Sequence, residues 1–185
     1  MSLSIDKSKT LSRMKILTEL HGAPGFEDEV KGYLKDEMSP YVDDFVYNRM
    51  GGFYGVKRSK SKDPKRIMVA AHMDEVGFLI TNITDNGFLQ FTNLGGVATD
   101  IWQGQRLKVK SRSNEEIVGV VANIPKHFRT GNEGAPKIED LLLDIGCENE
   151  QDVINRGIQI GDTIVPDTPF TQLSEHRFAL SLIHI

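Results

Sequence analysis

A single cysteine, Cys147, occurs in this chain of 185 residues. One thiol excludes an internal disulfide framework and a cysteine-rich metal cluster, and it suits a reducing compartment. No uninterrupted apolar run approaches the roughly 18 residues of a membrane-spanning helix. The first residues, MSLSIDK, lack the apolar core of a secretory signal. Basic residues are the minority, 22 against 26 acidic ones, for a net charge of −4. That balance leaves no electrostatic footprint for nucleic acid. The one tryptophan is Trp102; core packing is its default reading, an interface anchor the alternative. Internal repeats and low-complexity tracts are absent. A cytoplasmic globular protein of one domain, or of two small ones, is the expectation.

The stretch that organises the rest is residues 67–80, IMVAAHMDEVGFLI. Ile67–Ala71 reads as a buried inner strand of an α/β sheet, because an unbroken apolar run suits a strand covered on both faces. Ligands bind outside the carboxyl ends of such strands, and His72 stands at that end. His72 and Asp74 are two apart, so in extended chain they share a face. One could ligate a metal while the other fixes its imidazole; a satisfied histidine at a strand end is the plainer reading. Glu75 would point to the opposite face.

Upstream, Leu11, Met14, Ile16, Leu17 and Leu20 have helical spacing, with Ser8 or Thr10 as the expected cap. Gly22–Gly25 ends that helix, leaving His21 near its C-terminus, where the dipole favours a cation. Phe26–Glu29 opens a second helix with acids in its first turn, and Pro40 stops it. Tyr41–Tyr47 and Phe53–Val56 read as paired strands around the glycines of Asn48–Gly52. Residues 57–66 carry many cations around Pro64; a solvated loop is the reading, an anionic partner the alternative. Downstream of Gly77 short apolar runs alternate with turn signals: Phe78–Ile83, Phe88–Thr92, Arg106–Lys110, Ile117–Ile124 and Asp162–Val165. That spacing predicts a small β-barrel. Residues 135–143 and 149–156 read as short helical or irregular pieces. Cys147 has no neighbouring base, and no phosphate loop or serine elbow occurs.

Four stretches, in order, resemble the M42 family of dinuclear metallo-aminopeptidases. They are Gly22–Glu27 (GAPGFE), the hairpin with its glycine pair, Ala71–Gly77 (AHMDEVG) and Ile160–Asp167 (IGDTIVPD). The resemblance implies an α/β fold: an incomplete mixed-sheet catalytic domain of dinuclear zinc-peptidase type, with an inserted small β-barrel that builds homo-oligomers. It divides the chain into residues 1–76 of the catalytic domain, the barrel at 77–166, and a return at 167–185. It implies an aminopeptidase acting on N-terminal residues of peptides through water activated by two divalent metals, zinc or cobalt. By that likeness His72 matches a metal ligand and Asp74 the carboxylate that orients it, and His127 lies where relatives place a histidine near the site. The other expected ligands have no counterpart: no aspartate follows Asp167, no Glu-Glu pair follows Glu116, and His176 and His184 have the wrong context. The resemblance therefore implies a chain cut short after the barrel and inactive alone, whether by truncation, frameshift or descent from a short paralogue. The alternative is a non-catalytic fragment whose barrel mediates self-association.

Overall fold

The computed structural model describes residues 5–122 and 137–181. Helix α1 spans Lys7–Glu19, and its cap is Asp6, whose carboxylate accepts the Lys9 N–H at 3.1 Å. Ser8 and Thr10, the expected caps, lie inside the helix. Helix α2, Asp28–Met38, places Asp28 and Glu29 in its first turn, where free N–H groups favour negative charge. Arg13 Nε donates to Glu37 at 2.7 Å and ties the two helices together.

Strands β1 (Asp44–Tyr47) and β2 (Phe53–Val56) form an antiparallel hairpin, with Tyr47 opposite Phe53. Its turn is held by Asn48 Oδ1, which accepts the Met50 and Gly52 N–H groups at 2.9 Å each. The basic loop at 57–66 that follows is exposed. Lys57 meets Asp43 at 3.0 Å and Arg58 meets Asp44 at 3.4 Å, which fits the solvated reading.

Six strands close into an antiparallel barrel: β3 (Gly77–Ile83), β4 (Phe88–Leu94), β5 (Arg106–Lys110), β6 (Glu116–Val121), β7 (Leu142–Asp144) and β8 (Thr163–Pro166). Their order around the barrel is β3-β4-β7-β6-β5-β8. Closure comes from the β3–β8 pairing, Phe78 opposite Ile164 and Leu79 opposite Thr163. A barrel this small has no lumen; alternate side chains fill it. Here Phe78, Ile80, Leu89, Phe91, Leu107, Val109, Val121, Leu143 and Ile164 are fully buried inside it. Trp102 joins them edge-to-face against Phe78, centroids 5.0 Å apart, so it is a core residue. Helix α3 (Glu150–Asn155), capped by Asn149, packs Val153 onto that core. A last hairpin, β9 (Thr171–Ser174) and β10 (Arg177–Ala179), follows the barrel.

The barrel agrees with expectation; the mixed sheet does not. Among the described residues every strand pairing is antiparallel. Ile67–Ala71 is extended chain outside any strand, and Ile67, Met68 and Val69 are 87%, 78% and 92% exposed. A strand exists only where a neighbour takes its N–H and C=O groups. Among the described residues nothing stands beside this run.

Candidate functional site

Residues 72–76 join the exposed run to β3, and His72, Met73, Asp74 and Glu75 form one wall of a cleft of about 210 Å³. The end of α1, Gly22 and Val30 form another wall, with Leu180 and Ser181 across from them. Just beyond this wall, Gly77 lets the start of β3 approach Ala23 and β8 closely. A Cβ there would sit 2.9 Å from the Ala23 Cβ and 3.0 Å from the Ile164 carbonyl oxygen, so only glycine fits without displacement.

His72 Nδ1 lies 3.0 Å from Asp74 Oδ1 and 2.9 Å from the Asp74 carbonyl oxygen. A carboxylate oxygen and a carbonyl oxygen accept only, so Nδ1 carries the proton. In the neutral ring Nε2 then bears a lone pair. The His72 side chain is 73% exposed, which leaves that lone pair available to a further group. The expected His72–Asp74 pairing therefore forms, although the intervening backbone is not a strand.

Glu75 departs from expectation. It lines the same cleft as His72. Its backbone N–H donates to the Gly22 carbonyl at 2.8 Å, and the Ser181 hydroxyl donates to its carboxylate. Burial pushes this carboxyl up to about 7, against the opposing pull of Ser181, Lys108 and Gly22. The Glu75–Ser181 bond spans 106 positions, beyond the reach of local pattern. The only sequence signal was an acid embedded in an apolar stretch.

His21 also departs from expectation. It lies beyond the end of α1 and is only 2% exposed. Its Nε2 is 2.7 Å from Thr163 Oγ1 on β8, and its Nδ1 is buried with no hydrogen-bond partner. Its backbone N–H donates to Glu29 at 3.3 Å. Burial first, then the charges of Lys110 and Lys108, lowers its pKa to about 4. It is a neutral joint residue between helices and barrel, not a cation on a helix dipole. Glu29 and Lys110 form an ion pair at the same joint.

Among the described residues no three of His, Cys, Asp and Glu stand together so as to hold a metal ion. His176 is exposed and 3.8 Å from its neighbour Glu175. His127 and His184 lie outside the described residues. Burial raises the Cys147 thiol pKa, which disfavours the nucleophilic thiolate. Among the described residues no helix is long and apolar enough to cross a membrane.

A sequence profile described as M42 glutamyl aminopeptidase matches residues 51–182. The glutamyl aminopeptidase of Lactococcus lactis subsp. cremoris is 36% identical over 159 residues, covering 84% of this chain and 45% of that protein. An aminopeptidase structure from the archaeon Desulfurococcus kamchatkensis superposes with a TM-score of 0.85 at 32% identity, covering 92% of this chain and 46% of that one. The TET1 peptidase of Pyrococcus horikoshii, described as assembling into a tetrahedron or a large octahedral shell, superposes at 0.77 with 25% identity, covering 91% and 50%. The chain thus spans about half the length of the relatives it matches.

Proposed function

Because the chain belongs to the M42 glutamyl aminopeptidase family, we propose that it contributes to a cytoplasmic metal-dependent aminopeptidase that removes N-terminal residues from peptides. The observation that carries this reading is the His72–Asp74 hydrogen bond inside the matched stretch. It supports His72 as a metal ligand and Asp74 as the group that orients its ring. A carboxylate on the far nitrogen fixes the tautomer and makes the other nitrogen more basic.

The described residues do not by themselves fit the zinc or cobalt pair that family membership implies. One imidazole and one carboxylate fall short of the several ligands such ions need, and no larger cluster occurs among the described residues. What His72 and Asp74 do is hold an imidazole at the rim of the cleft with Nδ1 engaged by Asp74. Glu75 anchors that rim to Gly22 and Ser181.

The test is a chimera in which this chain replaces the matching span of the Lactococcus lactis glutamyl aminopeptidase, assayed with added zinc or cobalt on amino-acid anilides. Hydrolysis is expected, with the glutamyl anilide among the substrates, and its loss in His72→Ala. A folded, metal-loaded chimera that cleaves no anilide would sink the reading. The chain alone is expected to be inactive. A second reading, a non-catalytic chain that self-associates through its barrel, is supported by Val118 and Val120, apolar and exposed on β6. Light scattering on the eluting protein separates the two aspects, since a monomer at micromolar concentration argues against barrel-driven assembly.

A further inference from the structure

The turn that leaves α1 is clamped to the barrel on one side and to the cleft on the other. Strand β5 buries Leu107 and Val109 inside the barrel, so Lys108 and Lys110 stand on its outer face. Ile164 of β8 is also inside, which puts Thr163 on the outer face, opposite Lys110. These outward side chains are not solvated. Those of Lys108 and Lys110 are 15% and 13% exposed, and Thr163 is buried. The turn takes up all of them. Lys108 Nζ donates to the Glu19 carbonyl at 3.3 Å. Glu29, the partner of Lys110, accepts the His21 N–H at 3.3 Å. The His21 ring meets Thr163 Oγ1 at 2.7 Å. On the other side, the Gly22 carbonyl accepts the Glu75 N–H at 2.8 Å. Glu75 follows Asp74, whose carboxylate engages His72 Nδ1 at 3.0 Å.

We propose that His21 is a positioning residue for the cleft: its bond to Thr163 fixes the Gly22 carbonyl, and that carbonyl fixes the backbone carrying Asp74 and His72. The rim has little else to hold it. Residues 72–75 belong to no strand, and among the described residues the Glu75–Gly22 bond is their one backbone–backbone hydrogen bond. Gly22 is itself confined, since a Cβ there would meet Val30 at 3.1 Å and the Met73 carbonyl oxygen at 3.4 Å. Simple space-filling does not account for an imidazole at position 21. Its Nδ1 is buried without a partner, which is costly, and a leucine would fill the space without that cost. What the imidazole adds is the Nε2 bond to the barrel. The inference rests on the reading of His72 as a metal ligand and deepens it, naming the residue that sets where its ring stands.

The experiment is amide hydrogen exchange and ring-nitrogen NMR on the full chain and its variants. Thr163→Val keeps the shape of the side chain and removes the hydroxyl. It is expected to speed exchange of the Glu75 amide about tenfold, the scale of one lost buried hydrogen bond, and to shift the His72 Nδ1 resonance, while the amides of β4 keep their protection. His21→Ala is expected to do the same. His21→Gln, which can still donate to Thr163, is expected to bring both signals back toward wild type. Leu143→Ala is the control for general loosening, because it opens the barrel interior away from the turn; it is expected to speed exchange in β4 and leave the His72 resonance in place. Glu75 and His72 signals unmoved in both Thr163→Val and His21→Ala would overturn the inference. So would signals moved as far by Leu143→Ala, since that reduces His21 to a contributor to stability. In the chimera with the Lactococcus lactis enzyme, Thr163→Val and His21→Ala are expected to lower kcat more than they raise KM. A wild-type chimera that cleaves no anilide counts against the aminopeptidase reading instead, and the exchange and resonance data still decide the role of His21.

Discussion

Acidification should weaken the joint between helices and barrel through one residue. His21 titrates at about 4 in the fold against 6.5 for an ordinary histidine. Between those values the unfolded chain binds the proton and the folded chain resists it, so stability falls as pH falls. The contribution is present above about pH 6.5 and is lost progressively toward pH 4. Worked through the linkage relation, the loss is about 2 kcal/mol from pH 7 to pH 5 and about 3 kcal/mol by pH 4. The cause is geometric. An imidazolium would sit 2% exposed, with Nδ1 facing no acceptor and Lys108 and Lys110 nearby. Glu29, the carboxylate at the joint, is already paired with Lys110. The assay is urea unfolding at pH 7.5, 6 and 5 for the wild-type protein and His21→Gln. Gln can still donate to Thr163 but cannot titrate, so the stability gap between the two proteins should narrow as pH falls. Other titrating groups, Glu75 and Asp162 among them, are common to both and cancel. A gap that stays constant to within about 0.5 kcal/mol, the usual limit of additivity, would refute the reasoning.

Three further outcomes are expected. Asp74→Ala should lower the share of the Nδ1–H tautomer of His72 in long-range proton–nitrogen NMR spectra. An unchanged ratio would assign tautomer control to the Asp74 carbonyl alone. Leu143→Ala removes a fully buried side chain from the barrel interior and should cost about 3 kcal/mol in urea unfolding; less than about 1 kcal/mol would mean the barrel collapses around the gap. Gly77→Ala places a methyl 2.9 Å from Ala23 and 3.0 Å from the Ile164 oxygen. It should lower stability by about 1–3 kcal/mol and shift the amide resonances of Gly22 and Ala23, whereas a neutral variant with unshifted resonances would refute the close packing of Gly77 against Ala23 and β8.

Local pattern revealed much of this molecule. Arg106–Lys110 and Phe53–Val56 form strands over the residues where alternation placed them, because turn signals flank both. Asn149 and Gly157 bracket α3 as its capping chemistry requires. The His72–Asp74 contact was legible because two-residue spacing brings the groups together in any extended chain. What failed depended on distant neighbours. Ile67–Ala71 has the composition of an inner strand, yet a strand needs a partner that composition cannot supply. His21 and Glu75 owe their character to burial in tertiary structure, beside partners Thr163 and Ser181 that lie 142 and 106 positions away. The cap of α1 was misplaced because three nearby polar residues, Asp6, Ser8 and Thr10, are all competent and only geometry chose Asp6.

The pairing of β3 with β8 has a consequence for how such chains can change. Phe78 and Ile164 are hydrogen-bonding neighbours, so the points where the backbone enters and leaves the barrel lie side by side. Everything between them hangs on a two-stranded neck. Ends that meet in space tolerate excision, substitution and circular permutation. A short turn joining residue 76 to residue 167 could replace the barrel, or a larger sheet could take its place, with little displacement of His72 and Asp74. The architecture separates what the barrel can become from what the cleft must remain.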